Sequence, residues 1–256
     1  MIPARESEPL ALLKAKWPHG AELWRECQAE QGGGPFLLSF SRGKDSIAAA
    51  SAMMRAGFDL VPFYCERIPG ISFIDESLDY YERRLFKRPI IKALHPATVS
   101  NMLAGGFQPP HYLPIAEAMG ESLEAFSYQD VSNVIVGGLD LHEKTWTVTG
   151  LRAADSQMRR KNIAIMGPKA PGKRTVSAIW EWNLDAVIEE IAGAGLKLPA
   201  DYRIFGRTFD GLMGEFVAPL KKHFPADYVK VLELFPLVEA EVWRYEKQWG
   251  GAHDRP

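Results

Sequence analysis

The chain has 256 residues, 46 % of them apolar and 24 % charged, with a formal net charge of −2. This is enough apolar material for the core of one α/β domain, or of a domain with an appendage, and the near-neutral balance excludes a surface that binds polyanions over its whole extent. No apolar run approaches the ~20 residues of a membrane span, residues 1–9 lack a signal-peptide core, and Cys27 and Cys65 are too few for a disulfide framework or a thiolate-rich metal site. A cytoplasmic protein without a membrane partner is expected.

In chain order, residues 8–31 read as helical, interrupted at Pro18-His19-Gly20, and Gly32-Gly33-Gly34-Pro35 closes that segment. Phe36–Phe40 reads as a buried strand, Ser46–Arg55 as a helix stopped near Gly57, and Leu60–Cys65 as a second strand. Strands separated by one helix make a βαβ unit, hence a parallel sheet. Asp75–Lys87 has helical spacing and Pro89–Leu94 is a third strand. Residues 105–114, with their glycines and prolines, read as a loop, Glu121–Gln129 as a short helix, and Asn133–Val136 and Thr145–Thr149 as strands. Gly150–Lys173 reads as a basic loop. Asn183–Ala194 reads as a helix with Asn183 as N-cap and Gly195 as stop. Ala226–Gln248 reads as one final amphipathic helix. Its stripe from Tyr228 to Trp249 suits core, or the surface of a homodimer. The expected fold is α/β: a mostly parallel five-stranded sheet with helices on both faces and a C-terminal helical extension. The expected division is an N-terminal helical segment (1–33), a nucleotide-binding α/β domain (34–211) and the extension (212–256).

The most informative stretch is Phe36 to Ser46. An apolar strand ends in a Ser/Gly/Lys/Asp turn, and a helix follows at once. Helix N-termini offer unpaired N–H groups and partial positive charge, which suits phosphate. The Walker A pattern is absent, because Asp45 follows Gly43-Lys44 and no glycine stands five residues before Gly43. The dinucleotide fingerprint is absent too. Gly43 lets backbone approach phosphate, Lys44 supplies a point charge, and Ser39, Ser41 and Ser46 offer hydroxyls. Asp45 is unusual in an anion site unless it holds Mg²⁺ or orients the loop. A surface turn that happens to carry Gly and Lys is the competing explanation.

The segment S-R-G-K-D-S, Ser41 to Ser46, resembles the PP-loop of the ATP pyrophosphatase, or adenine nucleotide α-hydrolase, superfamily, with Arg42 replacing the first glycine of S-G-G-K-D-S. Thr149-Gly150-Leu151-Arg152-Ala153-Ala154-Asp155-Ser156-Gln157-Met158-Arg159 resembles the T-G-x-R-x-x-[DE]-S-x-x-R segment of the phosphoadenosine-phosphosulfate (PAPS) reductases and their relatives. Val176 to Val187 is similar to a third, weaker segment of that family, and Leu198-Pro199-Ala200-Asp201-Tyr202 to a fourth.

The resemblance, over about residues 34–211, implies a nucleotide at the C-terminal ends of the strands. It implies ATP or PAPS as ligand and Mg²⁺ on the leaving phosphates. It assigns Lys44, Asp45 and Arg152 to catalysis, and Ser39, Ser41, Arg42, Gly43, Ser46, Gly150, Ser156, Arg159 and Arg160 to nucleotide binding. The reductases attack sulfur with a cysteine near the C-terminus, and no cysteine follows Cys65. The expected reaction is therefore cleavage of ATP between the α- and β-phosphates, adenylylating an unidentified acceptor and releasing pyrophosphate. Sulfonucleotide reduction with an external thiol, and a non-catalytic nucleotide- or nucleic-acid-binding module, are the alternatives. The basic run 159–174 fits a flexible lid over phosphates or a contact with a nucleic-acid backbone. His95, His111 and His142 lack metal-ligand spacing.

Overall fold

The computed structural model describes residues 8–109, 111 and 126–249. They divide into two compact units. The first takes the described residues of 1–64, 81–91 and 131–198, and the second those of 65–80, 92–130 and 199–256.

Helices α1 (Glu8–Lys16) and α2 (Gly20–Glu30) open the first unit. His19 caps α2, and the Glu22 carboxylate reaches back to the His19 N–H, satisfying donors that a helix start otherwise leaves open. Strand β1 (Phe36–Ser39) follows, with Phe36, Leu37 and Leu38 fully buried. Helix α3 (Lys44–Arg55) buries Ile47 through Ala50, and the chain then turns at Gly57 into β2 (Leu60–Glu66). A helix (α4, Ser72–Tyr81) and a π-helical turn (Glu82–Phe86) lead to β3 (Ile91–Leu94).

The strands form one six-stranded sheet in the order β3-β2-β1-β4-β6-β5, where β4 is Thr147–Thr149, β5 Lys169–Ala170 and β6 Thr175–Ser177. β1 pairs in parallel with both β2 and β4, β4 pairs in parallel with β6, and β5 pairs with β6 in the antiparallel sense. The class is thus α/β, with a mostly parallel sheet flanked by helices.

The sheet has six strands rather than five, and its membership differs from the expectation. Asn133–Val136 is no strand. It lies inside the helix α6 (Tyr128–Gly138), where Val131 and Ile135 are buried while Val134 is 69 % exposed. That spacing of four is helical, and it outweighs the β-branched composition. Residues 150–173 are not one loop. Ser156 caps a ten-residue helix, α7 (Gln157–Met166), and β5 follows it. Strands of two and three residues carry no alternation to read, so β5 and β6 escape pattern analysis.

Helix α8 (Leu184–Gly193) starts at Asn183, whose Oδ1 accepts from the Ala186 N–H at 2.8 Å, and the chain leaves it through Gly195 in the left-handed region. It packs along α3, where the Ser51 hydroxyl donates to Glu190 at 2.7 Å. Beneath the sheet's end, Trp24 Nε1 donates to the Ala178 carbonyl and Trp180 Nε1 to that of Pro18, both at 3.0 Å.

In the second unit, α5 (Pro96–Leu103), α9 (Asp201–Phe205), α10 (Gly214–His223), α11 (Pro225–Leu234) and α12 (Val238–Trp249) accompany most of α4. Phe73 is the hub of an aromatic cluster with Phe205, Phe209 and Phe224, the last at 4.5 Å between ring centroids. The expected single helix over Ala226–Gln248 is two. Phe235 precedes Pro236 and adopts φ −137°, ψ 73°, outside the helical region, as the ring of a following proline demands. Phe235, Val238 and Val242 are buried, whereas Trp243 is 63 % exposed. Of the loop expected over 105–114, residues 105–109 are turn and irregular chain, and residues 110 and 112–114 lie outside the described residues. Of the helix expected over Glu121–Gln129, residues 121–125 lie outside them, 126 and 127 are irregular, and Tyr128 and Gln129 begin α6.

Candidate functional site

β1 lies between β2 and β4, so the chain leaves β1 toward one side of the sheet and returns to the other. Such a switch point opens a crevice at the C-terminal ends of the two diverging strands. Leu37 is level with Thr147 and Leu38 with Val148. The segments Ser39–Gly43 and Thr149–Arg152 therefore leave the sheet side by side.

The turn after β1 is built by its own side chains. Gly43 is the N-cap of α3 at φ −70°, ψ 151°, and no side chain caps that helix start. The Gly43 N–H donates to Ser41 Oγ at 3.3 Å, and the Ser46 hydroxyl donates back to the Gly43 carbonyl at 2.9 Å. Ser41 Oγ sits 3.2 Å from Ser46 Oγ. The two hydroxyls thus brace the turn. Ser39 ends β1, level with Phe63 of β2. Arg42 stands where a glycine is expected, and its φ of +60° shows why glycine suits the position. The strain is offset by packing, since Arg42 is fully buried with its guanidinium 5.3 Å from the Tyr64 ring centroid.

Gly150 joins the two segments. A Cβ there would lie 2.6 Å from the Asp45 carbonyl carbon and 2.7 Å from the Ser46 nitrogen. Only glycine lets the strand-β4 exit rest against the first turn of α3.

Charges alternate across this junction. Lys44 Nζ meets Asp45 Oδ2 at 2.9 Å, and Arg152 Nε lies 2.7 Å from Asp45 Oδ1. The second contact is an ion pair without hydrogen-bond alignment, because neither atom meets the angular requirement of a bond. Arg152 then reaches Asp155 Oδ1 at 2.5 Å, and Arg159 reaches Asp155 Oδ2 at 2.6 Å. Lys44, Asp45, Arg152, Asp155 and Arg159 therefore form one ladder of three cations and two anions. Arg152 is buried to 4 % exposure and also points one N–H at the Trp182 carbonyl, 3.4 Å away. That carbonyl and the Ala153 N–H bond to the Trp180 carbonyl (2.8 Å) bring in the third segment of the resemblance. Trp180 itself is core, with no exposed surface.

Not every expected residue joins the group. The Ser156 hydroxyl accepts from the Arg159 N–H at 3.1 Å, so it is occupied as the cap of α7. Arg160 turns toward α1, lining a surface groove with Leu13, Gln157, Lys161 and Ala164. Lys169 is half-buried between Glu26 and Glu30, at 3.6 and 2.6 Å. The run 159–174 is therefore not a continuous flexible lid: it is divided among a helix, a short strand and a 3-10 turn (Pro171–Lys173). His142 accepts from the Lys144 N–H within its own turn.

Mg²⁺ on Asp45 does not fit this arrangement. Both carboxylate oxygens face cations, and no group of three metal-ligating side chains occurs among the described residues. Asp45 instead orients Lys44 and Arg152. Asp155 is the residue that sequence reasoning left out of the site, although the acidic position of its motif was the signal for it. Burial pushes the Cys65 thiol up to about 11 and the Cys27 thiol up to about 12, so neither is a ready thiolate.

The class these features define is an α/β protein with a mostly parallel sheet and a cation-rich ladder at its switch point. No protein-family model matches the chain, and no curated protein matches it. No helix among the described residues is long and apolar enough to cross a membrane.

Proposed function

We propose that the chain is a PAPS reductase-like, adenine-nucleotide-binding enzyme of the PP-loop kind. It cleaves ATP between the α- and β-phosphates and transfers AMP to an acceptor. The supporting observation is that the two segments of the resemblance, a hundred residues apart in order, meet at one switch point through Gly150 against Asp45 and Arg152 against Asp45.

An acceptor oxygen attacks the α-phosphorus, and the bond to the bridging α–β oxygen breaks, so pyrophosphate leaves with the electron pair. The negative charge that grows on the leaving group is met by Lys44 and Arg152, with Arg159 farther along the ladder. The start of α3 carries no side-chain cap, and a helix N-terminus suits phosphate. Catalysis here is positioning and charge stabilisation, which needs no covalent intermediate. The ladder's surplus of one positive charge suits a nucleotide that arrives as its magnesium complex, already partly neutralised.

The test is to incubate the chain with ATP, magnesium and a panel of acceptor candidates and to assay pyrophosphate. Lys44→Gln and Arg152→Gln are expected to lower its release by about 100-fold or more. Appearance of ADP and phosphate in place of AMP and pyrophosphate would remove α–β cleavage.

A further inference from the structure

A second polar cluster lies in the other unit, at the ends of β2 and β3. The His95 N–H donates to the Glu66 carbonyl at 2.9 Å, and the Thr98 hydroxyl donates to the Arg67 carbonyl at 2.8 Å. These bonds hold Arg67 and His95 just beyond two neighbouring strand ends. His95 is buried, at 7 % exposure, and its Nδ1 accepts from the Ala97 N–H at 3.0 Å. The neutral ring therefore carries its proton on Nε2, and this N–H donates to the Tyr128 oxygen, 2.5 Å away.

Arg67 is the fixed cation of the cluster, with its side chain only 20 % exposed. Its Nε and terminal nitrogen both point at one oxygen, Asp210 Oδ1, at 3.3 and 2.9 Å. Asp210 stands on the irregular segment between α9 and α10 and is 46 % exposed. Its other oxygen lies 3.4 Å from Arg207, which is itself 61 % exposed. The guanidinium fork is matched to two carboxylate oxygens but engages one. Asp210 has a second cation to fall back on.

We propose that Arg67, beside Tyr128 and the His95 that bonds to it, binds the carboxylate of a small molecule, which takes the place of the Asp210 carboxylate on the guanidinium. Asp210 then stays with Arg207, and the ligand presents both oxygens to the Arg67 fork. Burial, with the Arg67 charge beside it, lowers the His95 pKa to about 4, so the imidazole adds no second positive charge. One fixed cation suits a monoanion, whereas a phosphate dianion wants two. The inference concerns this unit alone and does not rest on the nucleotide reading.

The full chain, labelled with ¹⁵N-histidine, is titrated at pH 7.5 with propionate and, separately, with inorganic phosphate, following the His95 ring resonances. A saturable shift with propionate is expected, and a weaker one with phosphate. Asp210→Asn removes the internal competitor and should tighten propionate binding about threefold or more, since the competent state is no longer masked. Arg67→Gln should abolish the response. A pair with a merely structural role predicts the opposite for Asp210→Asn, a loss of order with no gain in binding. The proposal is overturned by the absence of a saturable shift in the unaltered chain, by unchanged or weaker binding in Asp210→Asn, or by phosphate binding as tightly as propionate.

Discussion

Two residues show how much depends on single atoms. Gly150 is set by approach rather than by backbone angle: any Cβ would sit inside the contact distance of the Asp45 and Ser46 backbone. Backbone cannot swing aside as a flexible side chain does, so Gly150→Ala must push the β4 exit away from α3. A loss of about 1–3 kcal/mol in urea unfolding is expected, as for other overpacked sites, together with a larger loss in pyrophosphate release because Arg152 moves with the strand exit. An unchanged midpoint with unchanged release would refute the close approach. His95 carries a prediction of another kind. Its ordinary pKa is 6.5, and burial beside Arg67 lowers it to about 4 in the folded state, with Asp210 opposing. The unfolded chain therefore binds the proton more readily, and stability rises with pH between these two values. The contribution is complete above about 6.5 and is lost as pH falls toward 4. Between pH 7.5 and pH 5 the fold should lose roughly 1–2 kcal/mol from this group, and His95→Gln should flatten that slope. Urea midpoints of both proteins at the two pH values provide the measurement, and parallel pH dependence in the two would exclude His95 as the source.

At the level of elements, the signals that carried over are those with a local cause. The β1–turn–α3 unit is legible because a buried apolar strand, a short turn and an alanine-rich helix each have their own chemistry. The helix 184–193 is legible through its Asn183 cap and its Gly195 stop. What escaped was decided by contacts distant in sequence. α6 contains a β-branched run that becomes helical because Val131 and Ile135 share a buried face. α7 buries only Ile163 along its length, so its pattern looked like a solvated loop. In the candidate site, Lys44, Gly150, Arg152 and Arg159 are visible as motif positions, and the Asp155 bridge, three residues after Arg152 and four before Arg159, lies within the same motif, whereas the second cluster at Arg67 and His95 exists only once strand ends are brought together. Ser156 gives α7 a direct test. As a cap it accepts from the Arg159 N–H, and aspartate keeps that acceptor at a helix N-terminus while placing a negative charge where a phosphate would approach. Ser156→Ala should cost about 1 kcal/mol of stability, and Ser156→Asp should cost far less. If Ser156→Asp also leaves ATP affinity unchanged, the residue is a cap alone. A sharp fall in affinity without a fall in stability would return it to the phosphate site.

At the level of the whole molecule, charge decides between nucleotide and nucleic acid. The chain carries a net charge of −2, so nothing outside a local patch attracts a polyanion. The basic run singled out for nucleic acid is 159–174, and several of its cations are committed in different directions. Arg159 is tied to Asp155, Lys169 to Glu26 and Glu30, and Arg160 turns toward α1. Affinity for a duplex depends on how many phosphates are neutralised at once, with log K falling by about 0.9 per contact for each unit of log salt. A divided run offers few simultaneous contacts, whereas one nucleotide needs only the ladder around Lys44 and Arg152. A 20-base-pair duplex should therefore show only weak binding at about 150 mM salt, with a shallow slope of about −2 or less in magnitude, while ATP binding persists under the same conditions. Fluorescence anisotropy across a salt series measures both. Tight duplex binding with a slope near −5 would mean that the six basic residues act as one surface, and it would favour a nucleic-acid-binding module over the adenylylating enzyme.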